Sequence, residues 1–269
     1  MKRAVLVSLL LLGSAAAAAA LTADEQMRFA DGIYLRGFYE TAVTEYLALL
    51  RDHPDSEHAP AALYRTGECY RQMGNPTGAE RFYKQLAAQH PQSDQAPRAE
   101  LRRAELAIAA ERPDEAAAIL NGLLVGTPAP DVAAAASYYL GYSRLRAGDE
   151  KGAAAAYERM LAEHKDSPYA AYAALDLAAL RAQDKGNDDE MEGWFEQALA
   201  AAATPAAKAE ALFRWGDWAY RKERYAQAAD LLQQLLVEFP DERRARDARL
   251  ATAWSLYYLD RAPEALAFA

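Results

Sequence analysis

Residues 59 to 91 read APAALYRTGECYRQMGNPTGAERFYKQLAAQHP, and the spacing inside this stretch decides the fold. Leu63, Thr66, Gly67 and Tyr70 stand at i, i+3, i+4 and i+7, the stripe of an amphipathic helix over Ala59 to Met73. Gly74-Asn75-Pro76 breaks that helix, a second stripe follows at Ala79, Tyr83, Leu86 and Ala87, and His90-Pro91 stops the chain again. The unit is helix, turn, helix. Neither helix can bury its stripe alone, so the unit needs neighbours like itself.

The neighbours are in the sequence. Small residues recur every 37 residues, once 38, at Ala30, Gly67, Ala104, Gly141, Ala179, Gly216 and Ala253. A second series follows twelve residues behind: Ala42, Ala79, Ala116, Ala153, Met191, Ala228 and Ala265. A third, at the closing position, is Pro54, Pro91, Pro128, Lys165, Ala203 and Pro240. Self-similarity at this period marks a repeat array. Small residues belong where two helices cross, because a missing side chain lets the backbones approach while a Tyr or Leu one turn away fills the adjacent groove.

The unit resembles the tetratricopeptide repeat, a 34-residue helix-turn-helix with Leu-Gly and Tyr in its first helix, Gly-x-Tyr at the turn, Ala and an aromatic in its second helix, and a closing Pro. Leu140-Gly141 and Trp215-Gly216 fill the first pair, Tyr70 the following Tyr, Gly37-Phe38-Tyr39 the turn, and Tyr46, Tyr83, Tyr157 and Phe195 the aromatic. The resemblance covers residues 24 to 269. It implies an all-α fold, a right-handed superhelical solenoid of about seven units. About three extra residues per unit lie in connections such as Pro54 to Pro60 and Pro91 to Pro97. These connections resemble those of BamD-type outer-membrane assembly lipoproteins and of periplasmic Tol-Pal coordinator proteins. In them Pro stops one helix, Ser56 or Ser93 is expected to cap the next, and Pro60 or Pro97 sits in its first turn.

Residues 1–23 read as a secretory signal. Lys2-Arg3 precedes an apolar run from Ala4 to Leu12, then Gly13, Ser14 and a run of Ala, with cleavage near Ala20 to Ala23. The alternative is an uncleaved anchor, since Ala4 to Leu21 carries no charge, but its second half is weakly hydrophobic alanine. A lipoprotein would need a Cys at the cleavage site, and the one Cys of the chain is Cys69, inside a helix. The expected product is periplasmic or exported, with no integral membrane span after cleavage. The last unit is incomplete: the sequence stops in its second helix at Leu266-Ala267-Phe268-Ala269. A solenoid end left open exposes its stripe, so repeats continuing past this point, or an end closed by self-association, are expected.

Formal charge is -9, or -11 without Lys2 and Arg3, which argues against nucleic acid as a partner. One Cys forms no internal disulfide, and a buried inert thiol is the expected state. His53, His90 and His164 hold one position of their units, so they lie a repeat apart and cannot share a metal. They are expected to complete helix C-termini. His58 beside Glu57 makes no His-Glu-x-x-His motif, and the acidic stretch Asp184 to Glu190 lacks the ligand alternation of a calcium loop, so it reads as a solvated turn. No phosphate loop, nucleophile elbow or catalytic carboxylate pair is present in the sequence. No catalytic residue, metal or cofactor is expected, and the chain reads as no enzyme.

What remains is a surface. With each small residue of the first series numbered eight within its unit, the family resemblance implies that positions two, five, nine, twelve and thirteen of the first helices line a concave groove. Positions five, nine and twelve also form a stripe distinct from the buried one at four, seven, eight and eleven. The candidates on it are Tyr34, Tyr64, Glu68, Arg71, Tyr138, Tyr142, Arg146, Phe213, Asp217, Tyr220, Arg221, Trp254, Tyr257 and Tyr258, with Asp31 and Glu105 between them. Aromatics and Arg dominate binding hot spots, although any one of them can instead pack against the next unit. The expectation is a non-catalytic scaffold of the bacterial cell envelope that binds a peptide or helix of a partner protein in this groove. The alternative is an accessory glycan- or peptidoglycan-binding module of an envelope enzyme assembly.

Overall fold

The computed structural model describes residues 21–182 and 188–268. The segment read as a secretory signal, up to residue 20, most of the acidic stretch (183–187) and the final residue lie outside the described residues. Fourteen helices are described: α1 (Ala23–Leu35), α2 (Tyr39–Asp52), α3 (Ala59–Gln72), α4 (Pro76–Gln89), α5 (Ala96–Ala109), α6 (Pro113–Val125), α7 (Pro130–Arg146), α8 (Glu150–Glu163), α9 (Ala170–Arg181), α10 (Asp188–Ala200), α11 (Pro205–Arg221), α12 (Tyr225–Glu238), α13 (Ala245–Tyr258) and α14 (Ala262–Ala265). They pair into the seven expected units.

The chain divides within α4 into two compact bodies, one ending at Phe82 and one beginning at Tyr83. In the first, α1 packs on α2 and α2 on α3 around Met27, Ala30, Ala42, Tyr46, Leu49, Ala62 and Cys69. In the second, each helix from α5 onward packs on the next, and the first helices of successive units also touch: α5 on α7, α7 on α9, α9 on α11 and α11 on α13. That second set of contacts makes the pairs an array rather than a string of hairpins.

The small-residue rule holds at the helix crossings. A Cβ on Gly141 would lie 2.5 Å from the ring of Tyr157, and one on Gly216 would lie 2.6 Å from Leu232. The aromatics of the second helices are buried, Tyr46, Tyr83 and Tyr157 completely. Burial and the neighbouring carboxylates of Asp31 and Asp176 push the hydroxyls of Tyr46 and Tyr157 well above the ordinary tyrosine range.

Every described turn between paired helices places one residue in the left-handed region at position fifteen. It is Gly37, Gly74 and Gly148 in three units, but Glu111, Glu223 and Asp260 in three others, with φ of 56°, 60° and 58°. The next N–H reaches back five residues in each case, as in Arg112 N to Ala107 O, Arg224 N to Ala219 O and Arg261 N to Leu256 O, which is the Schellman closure of a helix end. Glycine adopts this conformation freely, whereas a side chain there costs about 1 kcal/mol.

Two expectations for the connections need correction. Ser56 and Ser93 do not cap the following helices. The N-cap residues are His58 and Gln95, neither with a side-chain cap bond. Ser56 Oγ instead accepts from His58 N at 3.1 Å, and Ser93 Oγ donates to His90 O at 2.9 Å, so these hydroxyls hold the linker turn itself. His53, His90 and His164 do close their helices, but through backbone N–H groups bonded to Leu49, Leu86 and Met160. Their rings are not needed for that closure, and the ring of His53 lies 3.0 Å from Leu21 O.

Candidate functional site

The surface expected to face a partner is graded. At position five, Met27 and Leu101 are buried, and Tyr64, Tyr138 and Phe213 are half-buried. Only Leu250, in the last unit, stands out, at 59% exposed. Contact between successive units accounts for the covering in the second body, where Tyr138 and Phe213 lie under the following unit. Tyr138 stacks on Tyr169 at 5.5 Å, with Tyr172 at 6.3 Å, and the guanidinium of Arg244 lies 4.7 Å over the ring of Phe213.

Tyr138 also belongs to a polar hub. Asp176 Oδ2 accepts from the hydroxyls of Tyr138 and Tyr157, each at 3.3 Å, while its Oδ1 accepts from Arg214 at 3.0 Å. Arg214 bonds Leu175 O with its other terminal nitrogen. Burial pushes Tyr138 above the ordinary tyrosine range, with the Asp176 charge adding to the effect, and pushes Tyr139 up to about 12. Tyr138 and Phe213 are thus fixed between units. Asp176 holds position five of its unit, but nothing in its spacing distinguishes it from a solvated acid, so sequence alone does not single it out.

Position nine is intermediate. Glu68 is buried against Arg71, which donates to it at 2.8 Å, Asp31 accepts from Tyr46 at 2.5 Å, and Tyr142 is half-buried. Asp217 pairs with Arg221 at 2.9 Å. Trp254 is 45% exposed. Positions twelve and thirteen are the open edge. In the first body Tyr34 meets Tyr39 edge-on at 5.7 Å beneath the guanidinium of Arg65. In the second body Arg146 is exposed beside a cavity of about 240 Å³, and Arg221, Tyr257 and Tyr258 are exposed. Tyr220 is half-buried against Tyr225.

A larger cavity of about 400 Å³ lies among α9, α10 and α11, floored by Leu175, Met191, Phe195 and Trp218 with Arg214 and Asp217 at its polar side. Arg224 stacks on Trp218 at 4.9 Å and pairs with Glu192 and Asp188. Asp188, at the start of α10, is held below the usual carboxylate range chiefly by its bond with Lys222.

Among the described residues one group offers three ligand atoms within 4.8 Å of one another: Asp24, Glu57 and His58. The His58 ring already bonds Asp24 at 2.5 Å, and that bond holds the Asp24 carboxyl below its ordinary value. The pair clips the start of α1 to the connection before α3. Cys69 is buried, and burial pushes its thiol up to about 12.

Tetratricopeptide-repeat family models match residues 61–93, 210–242 and 101–171, together half of the chain. The chain belongs to the tetratricopeptide repeat family. No curated protein matches it. Among solved structures it is similar to PilF of Pseudomonas aeruginosa, with a TM-score of 0.63 and 18% identity over 84% of this chain and 95% of that one. It is similar to PilW, a type IV pilus biogenesis factor, with a TM-score of 0.64 and 18% identity over 84% of this chain and 97% of that one. A tetratricopeptide repeat protein of Parabacteroides merdae gives 0.63 and 17% identity over 91% and 90%. At these identities the likeness is one of fold. Among the described residues no helix is long and apolar enough to cross a membrane.

Proposed function

We propose that this repeat protein is a non-catalytic scaffold of the bacterial cell envelope that holds a peptide or helix of a partner protein along the open edge of its first helices. The observation that carries the reading is the run of accessible Arg and aromatic side chains at positions nine, twelve and thirteen of the second body: Arg146, Tyr220, Arg221, Trp254, Tyr257 and Tyr258. Such residues supply large contact area, and Arg adds directed hydrogen bonds. An envelope location is supported by the apolar leader with its basic start. The fold likeness to a type IV pilus biogenesis factor agrees with it. Of the two cleavage points, Ala20 leaves α1 intact. Thr22 is its N-cap, and Thr22 and Glu25 form a reciprocal capping box that cleavage after Ala23 would remove.

The experiment is photocrosslinking in cells from a probe placed at Tyr257, at Arg146 or at Val237 on α12. Crosslinks to an envelope protein from the first two sites and none from Val237 are expected. Crosslinks from Val237 alone would move the binding surface to the second helices and overturn the reading. The mass of the exported protein reads the cleavage point directly.

A further inference from the structure

α10 packs less closely on α11 than α6 does on α7 or α12 on α13. The cavity of about 400 Å³ lies at that loose junction. Its volume is in the range of ligand pockets, about 300–1,000 Å³. Leu175, Met191, Phe195 and Trp218, each buried, make an apolar floor. On the α9 side Ala179 and Ala182 line it, both exposed, so these two positions send no large side chain over the floor. Because α11, α12 and α13 follow it in the array, no missing repeat stands to cover it.

The rim is charged. Arg214, Lys222 and Arg221 line it with one acid, Asp217. Arg214 is held by Asp176, and Lys222 by Asp188. The Arg221 side chain is 75% exposed and, among the described residues, is tied only to Asp217, one turn back on the same helix, at 2.9 Å. An exposed pair of this kind is worth little. The guanidinium is therefore available to a second carboxylate, which it can hold through two parallel N–H bonds. The floor has a polar need of its own. Trp218 is 7% exposed, and its indole N–H has no acceptor among the described residues. A buried donor without its bond favours an occupant that brings an acceptor.

We infer that this cavity is the anchor socket of the scaffold: it takes a large apolar side chain, Phe or Leu, from the partner segment, while a neighbouring Asp or Glu of that segment pairs with Arg221. The inference rests on the scaffold reading and names the chemistry of its anchor. Asp217 and Arg221 hold positions nine and thirteen of α11, so the mouth of the cavity is continuous with the open edge along which the partner lies in that reading. A chain on that edge passes the socket. A basic residue in place of the acid would meet three cations and one acid at the rim. A polar side chain in place of the apolar one would lose its water against Leu175, Met191 and Phe195, none of which can bond to it. A carbonyl of the inserted segment is the acceptor expected at Trp218.

The test follows the indole N–H signals of the nitrogen-labelled protein by two-dimensional NMR, with the Trp218 signal assigned from Trp218→Phe. The probes are blocked twelve-residue peptides of Ala, Gln and Ser around a central Glu-Phe, Lys-Phe or Glu-Ser pair, and the small acid phenylbutyrate. A lone anchor binds weakly, so each titration is carried to millimolar concentration. The Glu-Phe peptide should shift the Trp218 signal saturably and leave that of Trp254 in place, and the Lys-Phe and Glu-Ser peptides should bind at least tenfold more weakly. Ala179→Phe or Ala182→Phe, which fill the space from exposed helix positions, should abolish the shift with helicity unchanged by circular dichroism. Arg221→Gln, also at an exposed position, should weaken the Glu-Phe peptide at least threefold and leave the Lys-Phe peptide as it was; it keeps the test open where a filled cavity unfolds the chain. An unmoved Trp218 signal, equal binding of the Lys-Phe peptide, or phenylbutyrate binding as tightly as the Glu-Phe peptide overturns the inference, the last in favour of a pocket for small acids. If crosslinks to an envelope protein from Tyr257 and Arg146 persist in that case, the scaffold reading stands and only the socket falls.

Discussion

Gly141→Ala isolates the packing rule on which the array is built. The added methyl would lie 2.5 and 2.6 Å from Cε1 and Cδ1 of Tyr157 and 3.0 Å from its Cζ, where contact normally begins near 3.5 Å. Tyr157 cannot swing away cheaply, because it is fully buried and its hydroxyl bonds Asp176. Overpacking of this kind costs roughly 1–3 kcal/mol, and straining the Asp176 bond adds about 1 kcal/mol. Against this stands the gain of roughly 0.5–1 kcal/mol for replacing glycine inside a helix. The net is a loss of about 2 kcal/mol, a fall of roughly 4–8 °C in melting temperature for a chain of this size. Gly122→Ala is the control: it lies within α6, exposed, with nothing within 4 Å of an added Cβ, so only the helix gain applies. Thermal melts followed by circular dichroism should place the two variants on opposite sides of the parent. If Gly141→Ala melts at or above the parent temperature, the small residues of the repeat are not there for helix contact, and the reasoning fails.

Asp176→Ala should cost about 3 kcal/mol, because it removes the charge partner of Arg214 and the acceptor of two tyrosine hydroxyls, none of them fully exposed; a urea midpoint close to the parent would refute the hub. Glu111→Gly should raise stability by about 0.5 kcal/mol, the roughly 1 kcal/mol of left-handed strain at φ 56° less the roughly 0.5 kcal/mol that a glycine adds in unfolded-chain entropy, and a clear loss in the same urea titration would contradict it. Alkaline pH should destabilise the protein. Tyr139, pushed up to about 12, and Tyr46, Tyr138 and Tyr157, raised further, hold their protons more tightly folded than unfolded, so their stabilisation is complete below pH ~10 and fades as pH rises through the folded values. Melts from pH 8 to 12 with tyrosinate absorbance read both, and a flat profile above pH 10 would count against it. Cys69 should resist thiol reagents at pH 8 until denaturant is added.

Period and phase carried most of the fold because they are properties of spacing. Gly141 and Gly216 could be read as crossings, and Tyr46, Tyr83 and Tyr157 as core, since one position repeated seven times averages out local exceptions. What could not be read were choices with no spacing signal. Glu111, Glu223 and Asp260 look like ordinary surface acids, and nothing in their type announces a left-handed turn. Ser56 resembles an N-cap, yet the helix starts three residues later, so its hydroxyl serves the linker. Tyr138 and Phe213 looked like anchors because sequence places them on the correct face of their own helix; only the next unit, through Tyr169 and Arg244, covers them.

That covering has a consequence for how such an array handles a partner. Where a first helix packs on the one after it, position five is lost to the contact, position nine is shared between ion pairs and surface, and positions twelve and thirteen stay open. A residue's availability is therefore set by its position and by whether a following first helix exists among the described residues. Leu250 and Trp254 are exposed where their equivalents Phe213 and Asp217 are half-buried, although all four belong to helices of the same pattern. Leu250, Trp254 and Tyr257 lie at i, i+4 and i+7 on α13, so their exposed area forms one stripe, continuous through Tyr258 with Tyr225 and Tyr220 of the preceding unit. Affinity for a partner should accordingly rest on positions twelve and thirteen, which stay open beside a following first helix. Earlier in the second body the same face offers Arg146 and the half-buried Tyr142, which suit register and charge matching better than anchoring.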